Sequence, residues 1–221
     1  DFALYLPEEW LEEERRREAG IPQDVTFQTK WALALTLIDR ALEWAKSIQQ
    51  FAPISPHHRK AVSELWPILE PLGIRTALEV GTGQPPGMVV EMLRAHHIKA
   101  YGLDIQPGSN IQGDMHDLSM FGEGAFDLVV ARHSLEHVLI PYVCLFEMMR
   151  VSLKWLLVVV PSDSDKSLGW PDHLHGYGQK GWEMMFRKVG LEIRHFEVGD
   201  HTEEGASWRD EELRYLLARE G

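Results

Sequence analysis

From Thr76 onward the chain alternates short apolar runs with longer amphipathic stretches. The runs 76–80, 99–104, 126–131 and 155–160 are rich in Val, Leu and Ala and are bounded by turn residues, so each predicts a buried strand. Helix candidates lie between them at 86–96 and 136–151. Alternation of this kind predicts a parallel sheet covered by helices on both faces. A further helix over 179–189 stops at Gly190 and leads into 191–198, where apolar and polar residues alternate as in a strand. The last stretch, Asp210–Arg219, reads as a helix within an acidic tail.

Three helices are expected before the first strand. Residues 7–19 carry Pro early, acids first, bases last and Gly20 as a stop. Over 25–50, Trp31, Ala34, Leu35, Ile38, Leu42, Ala45 and Ile48 recur at helical spacing and form one stripe. The third begins near Pro56, carries Ala61, Leu65, Trp66, Ile68 and Leu69, and should be disturbed near Pro67. The expected organisation is an N-terminal helical cap (1–72), a core (73–200) and an acidic helical tail (201–221). The stripe over 25–50 also offers a surface for an oligomer.

One length is awkward. Only five residues separate Asp104 from the next strand candidate, 110–114, whereas a parallel crossover normally needs a helix. The third strand must be very short or replaced by a loop, leaving the sheet shortened between its second and third strands.

Composition narrows the class of partner. With 34 acidic against 22 basic residues the net charge is −12, which counts against nucleic acid as a partner. The single cysteine, Cys144, excludes an internal disulfide and fits a reducing compartment, so a cytoplasmic location is expected. No apolar run approaches the ~20 residues of a membrane span.

Candidate chemistry gathers where the strands end. Gly81 and Gly83 would let the backbone turn closely past a ligand, or would simply make a tight turn. Glu79 lies near the end of a buried strand, where a carboxylate is costly unless something such as a cationic ligand group pairs with it. Asp104 ends the second strand, 21 residues after Gly83, and suits the two hydroxyls of a ribose or caps the following turn. Beyond it, Asp114 could accept from an adenine amino group while the Met115 amide donates to the ring.

The ordered series Leu78-Glu79-Val80-Gly81-Thr82-Gly83, Gly102-Leu103-Asp104, Gly113-Asp114, Phe126–Val130, Ser134-Leu135-Glu136-His137-Val138 and Val160-Pro161 resembles the class I S-adenosylmethionine-dependent methyltransferases that carry Leu-Glu-His after the fourth strand. The likeness runs from about 74 to 198 and implies a Rossmann-like, doubly wound α/β fold with a mostly parallel sheet. It implies S-adenosylmethionine as cofactor, with Glu79, Gly81, Thr82 and Gly83 at the methionine portion and Asp104 and Ile105 at the ribose. Asp114 and Met115 would serve the adenine, and Arg132 and His133 the methyl-transfer side. His133 and His137 are candidate general bases or turn caps, and His173 and His175 are candidates for the acceptor side.

Two features depart from that pattern: Pro85 and Pro86 occupy the place of a third glycine, and the helix between the second and third strands is missing. No metal is expected. His133-x-x-Glu136-His137 spells an inverted zinc-protease pattern, but it starts at a strand end rather than on one helical face. Ala131-Arg132-His133 stands where methyltransferases acting on base amino groups carry Asn/Asp-Pro-Pro-aromatic, so a small molecule or sugar is the expected acceptor. The alternatives are a non-catalytic interaction protein of the same fold, an RNA methyltransferase, and an NAD-dependent dehydrogenase. The last has no use for Glu79 or Asp114.

Overall fold

The computed structural model describes residues 56–83, 86–162, 173–200, 202 and 211–219. The chain divides into two units, Asp1–Glu43 and Trp44–Gly221, and every described residue belongs to the second. The helices expected over 7–19 and 25–50 lie outside the described residues, as does Pro85.

In chain order the elements are α1 (Pro56–Ser63), α2 (Trp66–Leu69) with a 3-10 turn (Glu70–Leu72), β1 (Thr76–Val80), α3 (Met88–Ala95), β2 (Lys99–Asp104) and β3 (Ile111–Gln112). They continue with β4 (Phe126–Arg132), α4 (Pro141–Val151), β5 (Ser152–Pro161), α5 (Gln179–Lys188), β6 (Leu191–Asp200) and β7 (Glu211–Arg219). The disturbance expected near Pro67 is found there: α1 ends at Ser63 and Pro67 sits in the first turn of α2, where its missing N–H costs nothing. The expected helix over 136–151 starts only at Pro141, with turns in 135–137. A proline at that point would have broken a helix running through it, but it fits a first turn.

The sheet has seven strands in the order β3-β2-β1-β4-β5-β7-β6. β1 to β5 pair in parallel, and β7 runs antiparallel to both β5 and β6. Strand residues alternate between two cores, as the pleat requires. Leu78, Val80, Val129, Ala131, Leu156 and Val158 pack with α4 and α5 on one face. Ala77, Leu128, Val130, Leu157 and Val159 pack with α1, α2 and α3 on the other. The order reverses direction between β1 and β4, and ligands of open α/β sheets bind outside the carboxyl ends of strands at such a point. The third strand is two residues long, in line with the short connection after Asp104.

The C-terminal helix expected over 210–219 is corrected to a strand. β7 is inserted between β5 and β6, and residues 212–218 are all buried. With both faces covered, the segment loses the alternation that marks a half-exposed strand. Leu213, Leu216 and Leu217 then mimic helical spacing. The sheet therefore extends through residue 219, and the C-terminal segment is no separate helical tail.

Candidate active site

At the end of β1 the chain turns sharply toward β2. The amides of Gly81 and Thr82 both donate to the Leu103 carbonyl, at 2.8 and 3.3 Å. Gly81 and Gly83 have φ of 73° and 65°, in the left-handed region that disfavours side chains. A Cβ on Gly81 would stand 2.4 Å from the Ser134 Cβ, so this loop is pressed against the turn after β4. Gly81→Ala is therefore expected to cost roughly 1–3 kcal/mol of stability from backbone strain and overpacking. Urea denaturation measures this, and an unchanged midpoint would contradict the packing.

Asp104 is buried and holds the loop in place. Its Oδ2 accepts the Gly83 amide and its Oδ1 the Gln106 amide, both at 2.9 Å. Burial raises its pKa, and those amides oppose the rise without cancelling it. Each carboxylate oxygen can accept twice, so acceptor capacity remains beside the loop. The acid that ends β2 and the glycine turn that ends β1 thus form one hydrogen-bonded unit. Ile105 follows, partly buried, and the Thr82 hydroxyl is buried in the same loop with no hydrogen-bond partner.

Glu79 finds its partner inside the protein. Its Oε2 accepts the Val90 amide at 3.1 Å, in the first turn of α3, where unpaired amides and the helix dipole favour a carboxylate. A Cβ on Gly87 would lie 2.5 Å from that oxygen, so only glycine admits the carboxylate there. Burial nevertheless dominates and pushes the Glu79 pKa up to about 8. The folded value lies above the ordinary 4.5, so the native protein retains a proton that the unfolded chain gives up. Stability should therefore fall as pH rises from about 4.5 to about 8. Glu79→Gln is expected to flatten this part of the profile, read as denaturation midpoints at about pH 5 and pH 8; identical profiles would refute the assignment.

On the β3 side, Asp114 Oδ1 accepts both the His116 amide (2.9 Å) and the His116 Nδ1–H (2.7 Å). The Ile140 amide approaches His116 Nε2 at 3.4 Å. Burial would raise the Asp114 pKa, but these contacts with His116 outweigh it and the net shift is downward. The Met115 side chain is buried in the core.

The end of β4 carries a buried charge network. Glu212 on β7 is fully buried, accepting from Arg132 Nη2 (3.1 Å), His133 Nε2 (2.9 Å) and Arg214 Nε (2.8 Å). Burial would raise its pKa, but these three cationic groups hold it far below the carboxylate range. Arg214 reaches Glu197 and Glu64 as well, at 2.9 and 3.0 Å. Its guanidinium lies across β6 where Gly199 leaves room, since a Cβ there would sit 2.3 Å from Arg214 Cζ. His133 has φ of 47°, a left-handed conformation that is rare for a side-chain-bearing residue. Burial and the nearby Arg132 lower its pKa, but Glu136 and Glu212 override them and the net shift is upward.

The turn after His133 meets the segment that follows β5. Leu174 and His175 both donate backbone amides to the Glu136 carbonyl, at 2.8 and 3.1 Å, and His175 Nε2 lies 2.8 Å from the Val138 carbonyl. His137 and His173 pack edge to face, with ring centroids 4.7 Å apart. Ser134 donates to the Val80 carbonyl at 3.2 Å, tying this turn to the glycine loop.

The structure therefore joins Gly81, Thr82, Gly83 and Asp104 in one unit, with Glu79 beneath it at the start of α3. It groups His133, His137, His173 and His175 around Glu136. Arg132 is spent on Glu212, so its side chain is a buried partner of β7. Sequence reasoning missed Glu212 and Arg214. Their spacing of two residues puts both on one face of a strand, a signal hidden when the segment was read as a helix.

Residues 78–154 match the profile described as "Methyltransferase domain", and residues 1–51 match one described as "DDE superfamily endonuclease". No curated protein matches the chain. Among solved structures, a putative methyltransferase from Bacillus halodurans is 17% identical, with a TM-score of 0.57 over 71% of this chain and 98% of its own. The magnesium protoporphyrin IX methyltransferase of Synechocystis, solved with bound SAH, is 13% identical with a TM-score of 0.56, covering 86% of this chain and all (100%) of that one. A putative methyltransferase from Haloferax volcanii, in complex with the Trm112 methyltransferase activator, is 15% identical with a TM-score of 0.58, over 75% of this chain and 95% of that one. Together with the strand order, these likenesses define the fold as that of the class I methyltransferases. Within that fold, residues 78–154 are similar to the methyltransferase domain profile.

Proposed function

We propose that the chain binds S-adenosylmethionine at the β1–β2 end of the sheet and transfers its methyl group to a small-molecule or sugar acceptor. The observation that carries this reading is the hydrogen bond between Gly83 and Asp104, which welds the glycine turn to the acid ending β2. A left-handed glycine turn with open space at Gly83, a buried Thr82 hydroxyl without a partner and a carboxylate with spare acceptor capacity fit an adenosyl ligand. Asp104 would take the ribose hydroxyls, and Asp114, held by His116, the adenine. The loop backbone of Gly81–Gly83 would face the methionine portion, while Glu79 serves it from below by anchoring α3.

The cofactor, when bound, supplies a sulfonium-activated methyl group, so the protein has mainly to position the acceptor and exclude water. If the acceptor is a hydroxyl, His133 or His137, in the turn after β4, would be the group to take its proton. The charge of −12, and the neutralisation of Arg132 by Glu212, favour a small molecule or sugar over a nucleic acid.

Calorimetry with S-adenosylhomocysteine tests the first half, with a dissociation constant of about micromolar expected. Labelled methyl transfer from S-adenosylmethionine across small-molecule, glycan, protein and RNA pools tests the second. Absence of binding would overturn the proposal, and incorporation confined to RNA would replace the acceptor class.

A further inference from the structure

Glu136 is fully buried, yet neither of its carboxylate oxygens makes a hydrogen bond. An ionised carboxylate in such a place is costly unless a cation meets it. The nearest cationic groups are imidazoles: His133 Nδ1 lies 3.4 Å and His137 Nε2 3.9 Å from its Oε1. His133 is committed through Nε2 to Glu212. A set of three donor groups gathers around the same carboxylate. One donor atom each from Glu136, His137 and His173 lies within 4.8 Å of the others.

We propose that Glu136, His137 and His173 bind a divalent transition-metal ion. Two imidazoles and one carboxylate suit zinc, cobalt or iron(II), whereas magnesium and calcium favour oxygen-only shells. Three protein ligands are also the number found in sites that keep a further position for an oxygen ligand. Donors bound tetrahedrally at about 2.1 Å from one ion stand about 3.4 Å apart. The observed separations, of up to 4.8 Å, close with side-chain movements of about an ångström. His137 and His173 are only partly buried, so their rings have room to move.

The backbone already assembles the set. The two amides donated to the Glu136 carbonyl clamp the strand of chain bearing His173 against the turn bearing Glu136 and His137. This arrangement also explains why the sequence pattern argued against metal. The ligands do not come from one helical face, as His-x-x-Glu-His would demand, but from a turn and a segment beyond β5. The binding of an ion stands by itself; only the idea that its open position takes an acceptor oxygen rests on the methyl-transfer reading.

The test uses the full chain, stripped with chelator, free of any affinity tag and titrated with Co2+. We expect one Co2+ per chain by equilibrium dialysis, with visible absorption of the intensity given by a four- or five-coordinate ion. His173→Ala and Glu136→Gln should each weaken binding by at least about tenfold. Far-UV circular dichroism and the unfolding midpoint of His173→Ala serve as the folding control, because that side chain is partly exposed. Failure of the wild-type chain to bind Co2+ would overturn the proposal, as would equal binding by a folded His173→Ala. S-adenosylhomocysteine calorimetry on the same samples separates the two ideas. Nucleoside binding without Co2+ binding sinks the metal site alone, and the converse sinks the cofactor assignment alone.

Discussion

Replacing Glu212 by alanine should destabilise the fold by roughly 3–5 kcal/mol, the cost of removing one partner from a buried ionic group. The reason is the company it keeps. Arg132 and Arg214 have side chains only 6% and 3% exposed, and both reach Glu212, with His133 as a third donor. Without the carboxylate, Arg132 loses its anionic partner inside the protein, while Arg214 retains Glu197 and Glu64. Urea denaturation reads the effect, and a loss below about 1 kcal/mol would mean that water or relaxation replaces the carboxylate. The pH dependence has a definite sign. The folded pKa of Glu212 is depressed below the ordinary 4.5, so its contribution is complete above that value and is lost as acid is added. Glu79 acts in the opposite direction, its contribution falling as pH rises toward about 8. The Glu212→Ala variant should lose Glu212's share of the acid-side slope and keep the alkaline one.

Asp104→Ala is expected to weaken S-adenosylhomocysteine binding by about 10²- to 10⁴-fold, because two hydrogen bonds from ribose hydroxyls to a charged acceptor contribute roughly 1.5–3 kcal/mol each. The substitution also leaves the Gly83 amide without its acceptor. Asp104→Asn separates the two effects, since an amide oxygen can still hold the Gly83 N–H while the charge is gone. The expected order of affinity is wild type, then Asn, then Ala. An alanine variant that binds within about threefold of wild type would remove Asp104 from the ribose site.

The parallel half of the sheet was legible because its strands are short and apolar and two of its connections, 86–96 and 136–151, read as helices. Asp104 was legible for the same reason: it ends a strand at a fixed distance from a glycine turn. Glu79 was seen, but its partner was not. Sequence suggests that a buried carboxylate needs a cation, whereas the fold answers with the Val90 amide of α3. The strand β7 was missed because a segment covered on both faces has no polar side to set its period. With it went Glu212 and Arg214, and so the reason for the buried Arg132. His173 and Glu136 were visible as residue types. Their meeting depends on backbone hydrogen bonds between segments far apart in the chain, which no local spacing encodes.

The place of β7 in the sheet has a consequence for how the molecule is made. It comes last along the described chain yet lies between two strands that precede it. While synthesis has reached only as far as β6, the edge of β5 stands open, with an apolar run of Leu156–Val160 offering its unpaired amides and carbonyls. Such an edge invites pairing with another chain. Glu212 and Arg214 arrive with β7 itself, so the strand that closes the edge also delivers the charges that pair with Arg132, Glu197 and Glu64. A borrowed apolar strand from a neighbouring molecule would leave Arg132 without Glu212, which disfavours that pairing relative to the chain's own β7.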